Sequence, residues 1–327
     1  MKNFTLFQPD SFQSVVEQLP STHDDPARNR VLAGGQDLLG ELKDHLIEPD
    51  TLVDLKGVPG LNSLDAGPGD AKIGALVTIA EIERSAELQR RFPILTEAAA
   101  SIASPQIRTR ATLGGNLCQR PRCWYYRNEH AVCLKKGGTE CFSIGGMSKY
   151  NSIFGGGPSY IVHPSDMAPA LVALEATVVV RGTAAEWKMP LQDFFTLPSE
   201  GDVTRENLLG SNEVVTGVEI PDHSGWKTTY LKFRERGTFD WALSAVALAL
   251  RVDGGRIAEA RLVLGGVAPT PWRCRSTEAL LAGRELDEET FAAAAQDALA
   301  DAEPLDHNAY KIPLTKGLII KALRKLA

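Results

Sequence analysis

Leu32-Ala33-Gly34-Gly35-Gln36-Asp37-Leu38-Leu39-Gly40 runs from an apolar strand through paired glycines into the start of a helix. Glycine lets backbone N–H groups come close to a phosphate, and a helix N-terminus adds a dipole that favours an anion. The pattern returns at Ile107-Arg108-Thr109-Arg110-Ala111-Thr112-Leu113-Gly114-Gly115-Asn116, now with two arginines and two threonine hydroxyls upstream of the glycines. Each loop alone also reads as an ordinary strand-to-helix turn. Together, in consecutive subdomains, they are placed to clamp a pyrophosphate from both sides. Neither is a G-x-G-x-x-G fingerprint, so a Rossmann site is not indicated.

Outward from these loops the chain divides in three. Residues 1–57 hold a helix over Ser11 to Leu19, capped by Ser11 and stopped by Pro20, and short strands at Asn29 to Ala33 and Thr51 to Leu55. Residues 58–222 hold a strand at Ala71 to Leu76, a helix from Ile79 to Arg90 and a continuation through Pro93 to Ser101. Strand patterns resume near Tyr160 to Val162, at Ala176 to Arg181 and at Val214 to Ile220. In residues 223–327 three strands (Thr228 to Arg236, Ala242 to Val252, Ala258 to Gly265) precede helices at Thr277 to Leu281, Glu288 to Asp301 and Leu314 to Leu326. Asp253-Gly254-Gly255 is a hairpin signal. An antiparallel meander with helices collected after it is an α+β arrangement.

The length of 327 residues exceeds one typical core. Hydrophobic content of 43% and charged content of 23% are ordinary for a soluble globular protein. A net charge of −6 gives no support for nucleic-acid binding, which needs a concentrated basic surface. The first residues lack an apolar run with a cleavage site, and the best apolar stretch, Trp241 to Leu250, falls far short of the roughly 20 residues that span a bilayer. The expectation is no membrane span and a cytoplasmic location, or a periplasmic one if a signal-bearing partner carries the folded chain out.

Four of the five cysteines fall in one loop, as Cys118-x4-Cys123-x9-Cys133-x7-Cys141, and Cys274 stands alone. Clustering in a large chain without a leader points to metal or redox chemistry rather than a disulfide scaffold. There is no C-x2-C pair for a zinc ribbon and no compact ferredoxin run. Four thiolates on a flexible loop can still wrap a cubane cluster, each iron taking one. Gly137 and Gly138 allow the bends, and Arg120, Arg122, Arg127, Lys135 and Lys136 offset a cluster's negative charge. Trp124-Tyr125-Tyr126 reads as packing of this loop against the domain.

In His163-Pro164-Ser165-Asp166-Met167-Ala168, Asp166 precedes an apolar helix and is on spacing a natural N-cap. His163 reads as structural. Along Tyr230 to Arg236, period-2 alternation puts Lys232, Arg234 and Arg236 on one strand face, either solvated or turned to an anion.

Taken together, AGGQDLL at 33–39, IGALVT at 73–78, ATLGGNL at 111–117, HPSDMAPAL at 163–171 and LKFRERGTFDWALSAVA at 231–247 resemble the FAD-binding medium subunits of the molybdenum hydroxylase (xanthine dehydrogenase) family. The likeness covers nearly the whole chain. RPRCWYYRN at 120–128 with CLKKGG at 133–138 is similar to the subgroup that carries a 4Fe–4S cluster besides FAD, such as the β subunit of 4-hydroxybenzoyl-CoA reductase and the flavoprotein subunit of periplasmic aldehyde oxidoreductase.

The resemblance implies an α+β fold: a p-cresol methylhydroxylase-type FAD-binding domain with lobes at 1–57 and 58–222, the second carrying an iron–sulfur loop at 118–160, and an α+β C-terminal domain at 223–327. It implies FAD contacts from Ala33, Gly34, Gly35, Gln36, Asp37, Leu38, Leu39, Thr78, Thr112, Gly114, Gly115, Asn116, Asp166 and Lys232, and moves Asp166 from cap to cofactor ligand. Cluster ligands carry over as Cys123, Cys133 and Cys141. The subgroup's fourth ligand sits shortly before HPSD, where this chain has Ser159; Cys118 is the substitute taken here, with Ser159 its rival.

The function implied is an oxidoreductase subunit that relays electrons and has no catalytic residue of its own. Its partners are a molybdenum-cofactor-binding large subunit, a 2Fe–2S small subunit and an external acceptor such as ferredoxin, a quinone or oxygen. Two other readings stand beside it: a stand-alone FAD-dependent dehydrogenase or oxidase acting on a small organic substrate, and a zinc-stabilised assembly protein.

Overall fold

The computed structural model describes residues 1–20, 29–183 and 185–327. Its three sheets follow the three segments in order. Near the N-terminus, strands Thr5–Phe7 and Asn29–Leu32 flank Thr51–Asp54, both parallel to it. Parallel neighbours need a crossover, and the helix Phe12–Glu17 lies in the first of them, with Ser11 accepting a hydrogen bond from the Ser14 N–H as N-cap. Val15, Val16, Val53 and Leu55 form this lobe's core, which Leu76 and Val214 of the next lobe complete.

The second sheet is antiparallel, in the order Leu64–Asp65, Ala71–Gly74, Val214–Ile220, Thr177–Arg181, Glu186–Pro190. Val214–Ile220 therefore enters the centre of the sheet from far along the chain. The helix expected from Ile79 to Arg90 is two helices, Ile79–Arg84 and Ala86–Arg91. Ser85 takes an extended conformation between them and caps the second by accepting from Leu88 N–H, a competition with helical bonding that serine favours. Tyr160 to Val162, expected as a strand, joins no ladder.

The third sheet is an antiparallel meander, Trp226–Phe233, Ser244–Asp253, Arg256–Gly265 and Trp272–Arg273. Gly254 and Gly255 make the turn with φ of +54° and +78°, the backbone a tight hairpin demands of both its central residues. Helices Arg275–Leu281, Glu288–Asp297 and Lys311–Leu326 follow. Leu318, Ile319, Ala322 and Leu323 lay one apolar stripe of the last helix on Val246, Leu248 and Leu250 of the sheet. The expected strand to Arg236 ends at Phe233, so the three cations do not share a face. Lys232 is buried, Arg234 bonds the Ser101 carbonyl at 2.6 Å, and Arg236 points to solvent. The α+β class, the glycine-flanked lobes and the helix-backed antiparallel C-terminal domain match the sequence-based expectation.

Residues 118–160 leave the second lobe as an excursion with only one short 3-10 turn, Leu134–Lys136. Its last part is tied to the C-terminal domain. Asn308 Nδ2 donates to the carbonyls of Asn151 and Ser152, Tyr310 Oη to that of Lys149, and Lys311 Nζ to that of Tyr150.

Candidate functional site

A cleft of about 960 Å³ runs where the lobes meet, and both glycine loops line it. The loops touch: a Cβ on Gly34 would sit 1.9 Å from the Arg110 carbonyl oxygen, and one on Gly114 2.8 Å from the Ala75 Cβ. Gly35 has φ +72°, open to glycine at no cost. Thr112 caps the helix Leu113–Leu117 by accepting from Gly115 N–H, and Asn116 Oδ1 is held by the Ser165 hydroxyl at 2.5 Å. The two loops thus bound one space from two sides, but the N–H groups of the second are taken within the protein, Gly114 by the Ala75 carbonyl at 2.9 Å and Gly115 by Thr112.

Of the residues expected at a cofactor, Ala33, Gly34, Gly35, Gln36, Asp37, Leu38, Thr112, Gly114, Gly115 and Asn116 line this cleft. Leu39 and Thr78 do not; Thr78 is the N-cap of Ile79–Arg84, in a reciprocal capping box with Glu81. Asp166 and Lys232 are also set back from the cleft walls. They pair at 2.7 Å with almost no exposure, Tyr230 Oη donates to the other carboxylate oxygen, and Lys232 reaches the Ser101 carbonyl at 3.3 Å. The helix cap read at Asp166 is supplied one residue earlier, by Ser165 Oγ accepting from Ala168 N–H at 2.9 Å.

Asp37 is turned toward the cysteine loop. Its carboxylate accepts from Arg120 N–H at 2.6 Å and meets Arg122 and Arg127 guanidinium nitrogens at 2.8 and 2.7 Å. This loop is itself a cleft wall, through Cys118, Gln119, Arg120, Arg122, Tyr126 and Lys135. Beyond it lies a buried charge chain: Glu206 takes Arg120 at 2.8 Å and Lys135 at 2.9 Å, and Tyr126 Oη donates to Glu41 at 2.8 Å. Burial, with Asp37 nearby, raises the Glu41 carboxyl above the usual range, while burial lowers the Lys135 ammonium against the pull of Glu206.

Sequence reading missed Glu206, Phe239 and Trp241 at this cleft and took Arg122 for a cluster counter-charge. Arg122 stacks on the Trp241 ring at 4.2 Å, a cation–π contact. Its Nε is buried without a hydrogen-bond partner, and burial brings the guanidinium down to about 10.

Cys123, Cys133, Cys141 and Ser159 line a second, small cavity with Tyr125 and Tyr126. Asn151 Nδ2 donates to Cys123 Sγ at 3.8 Å and to Ser143 Oγ at 3.1 Å, and Cys141 Sγ lies 3.1 Å from that same hydroxyl. Cys118 lines the large cleft instead, where burial raises its thiol to about 12. Among the described residues no three His, Cys, Asp or Glu side chains are grouped to hold a metal ion. Cys274 is buried in the C-terminal core. His163 is buried against Phe195, donates Nε2–H to the Leu117 carbonyl and is held neutral by burial, down to about 4. No helix among the described residues is long and apolar enough to cross a membrane.

Residues 2–223 match the family model for the FAD-binding domain in molybdopterin dehydrogenase, and residues 229–326 that for the CO dehydrogenase flavoprotein C-terminal domain. The chain is 33% identical over 300 residues to the aldehyde oxidoreductase FAD-binding subunit PaoB of Escherichia coli, covering 90% of each. It is 29% identical to the carbon monoxide dehydrogenase medium chain of Hydrogenophaga pseudoflava, covering 93% of this chain and 88% of that one. A solved structure of the Hydrogenophaga pseudoflava enzyme that lacks the Mo-pyranopterin moiety superposes with a TM-score of 0.76 at 28% identity, over 99% of this chain and 97% of that one. A chain of the cyanide-inactivated Cu,Mo-CO dehydrogenase gives 0.78 over 100% and 98%; at 23% identity this speaks to the fold alone.

Proposed function

The chain belongs to the FAD-binding subunits of the molybdopterin dehydrogenase family, and we propose that it is the electron-relay subunit of a heteromeric molybdenum hydroxylase. It is an oxidoreductase component whose cofactor is FAD. The residues fit that group: a cleft of about 960 Å³ walled by two glycine loops, a Gly34 whose Cβ would collide with the Arg110 carbonyl oxygen, and the Arg122 guanidinium on the same wall. FAD supplies the exchange between two-electron and one-electron carriers. The chain's part is to bind and orient it, with Gly34 and Gly35 presenting backbone to the pyrophosphate and Gly114 and Gly115, free of side chains, leaving it room.

One observation carries the relay reading. The cysteine loop that forms a wall of the cleft also turns Cys123, Cys133 and Cys141 toward one cavity next to it, Tyr126 lining both. A 4Fe–4S cluster in that loop would take these three thiolates, with Ser159 rather than Cys118 as the fourth donor, because Ser159 shares their cavity and Cys118 does not. Substrate oxidation belongs to a molybdenum-bearing large subunit, electrons reach this chain from a 2Fe–2S small subunit, and they leave to ferredoxin, a quinone or oxygen.

Purification from the native host with iron, molybdenum and flavin quantified tests this. The expected result is a complex of three kinds of subunit, with flavin absorbance over a broad iron–sulfur shoulder. A lone chain that turns over an organic substrate would instead make it a self-contained flavoenzyme, and zinc in place of iron would remove the redox role of the loop.

A further inference from the structure

We propose that Arg122, carried by the cysteine loop, binds the pyrophosphate of FAD as a third element beside the two glycine loops. This rests on the cleft being the FAD site. Asp37 is a single carboxylate shared by the Arg122 and Arg127 guanidiniums and by the Arg120 backbone N–H. One negative charge meets two positive ones, so the corner keeps an excess positive charge. Arg120 and Lys135 likewise share one carboxylate, Glu206, and with Glu41 beside them the cluster sets three carboxylates against four cations. Arg122 alone of the two arginines on Asp37 lines the cleft, since Arg127 turns its Nε to the Pro121 carbonyl.

Arg122 is also fixed in place. Asp37 holds one side of the guanidinium and the Trp241 ring backs it at 4.2 Å. Its Nη2 is taken by Asp37 and by Gln119 Oε1 at 3.1 Å and its Nε is covered by protein, which leaves Nη1 as the guanidinium nitrogen free of hydrogen bonds among the described residues. Because Asp37 stands two residues after Gly35 in the first glycine loop, the guanidinium sits at that loop. FAD's pyrophosphate is its permanent anion, and a guanidinium can meet such oxygens with two N–H groups at once.

The test uses the full chain stripped of flavin, with FAD affinity read by fluorescence titration and ADP as a competitor that has the pyrophosphate but no flavin ring. Arg122→Gln should weaken FAD and ADP alike, by roughly tenfold to a hundredfold. Arg122→Lys keeps the charge without the fork and should fall between the two; it also serves if Arg122→Gln does not fold. Unchanged affinity for both ligands in the folded variants overturns the proposal. So does a loss for FAD with none for ADP, which would put the contact on the flavin ring. If the unsubstituted chain binds no FAD, the cofactor assignment fails first and this one with it.

Discussion

Lys232 Nζ lies 2.7 Å from Asp166 Oδ2, joining a strand of the C-terminal domain to the helix Met167–Ala173 of the second lobe across an interface that leaves both side chains buried. Tyr230 Oη completes the carboxylate from the same strand. Removing one partner of such a pair leaves an uncompensated buried charge. Lys232→Met should therefore lower unfolding free energy by about 3–5 kcal/mol. The double change Lys232→Met with Asp166→Leu should recover much of the loss. Urea unfolding of the flavin-free chain measures both, and a single variant as stable as the parent would mean that the pair does not join the domains.

Gly34→Ala should abolish flavin retention. The new Cβ would meet the Arg110 carbonyl oxygen at 1.9 Å, a backbone contact that no rotamer relieves. Forcing the loops apart costs about 1–3 kcal/mol or more and distorts the cleft wall that both loops form. The flavin-to-protein ratio after gel filtration reads the effect. Gly40→Ala, whose Cβ would meet only the tip of Arg127 at 4.0 Å, is the matched control.

The proposed 4Fe–4S cluster is tested by iron content, which separates the cysteines. Cys118→Ala should leave iron and sulfide per chain unchanged, because Cys118 faces the large cleft. Cys133→Ser and Ser159→Ala should each lower iron or convert the cluster's EPR signal, since both residues line the small cavity. Loss of iron in Cys118→Ala together with a normal Ser159→Ala would reverse the ligand assignment.

Lys311 gives a pH signature. It is wholly buried, donates to the Gly266 carbonyl at 2.7 Å and the Tyr150 carbonyl at 3.2 Å, and burial brings its ammonium down to about 7. An unfolded lysine titrates near 10.4. Between those values the unfolded chain binds more protons than the folded one, so stability rises with pH, by up to roughly 1.4 kcal/mol per unit. Below about 7 both states are protonated and this contribution is flat. Lys311→Met should flatten the rise between pH 7 and 10. Denaturant midpoints of the two proteins across that range decide it.

What was legible in the sequence was local. Glycine pairs after an apolar strand, the Gly254-Gly255 hairpin and the Ser11 cap each depend on residues within a turn of one another. The pairing of Asp37 with Arg122 was not legible, because 84 intervening positions hide it from any window along the chain. Glu206 carried no motif and matters because Arg120 and Lys135 are folded onto it. Lys232 was read as a member of a cationic strand face, but the strand stops at Phe233 and Lys232 is buried on Asp166 and the Ser101 carbonyl. For the cysteines, spacing gave no way to see that Cys118, at the end of the helix Leu113–Leu117, packs toward the cleft while the other three turn away.

The bonds from Asn308, Tyr310 and Lys311 to the carbonyls of 149–152 bear on how freely this protein can be recombined. Two family models meet cleanly between residues 223 and 229, which invites a cut there. Yet the excursion that belongs to the first half is fastened at one end to Asp37 and at the other to the second half's final helix and the turn before it. A hybrid that kept residues 1–223 and borrowed its C-terminal half from a relative without this loop would leave four carbonyls seeking donors. The inheritable unit is the whole chain, loop and last helix together.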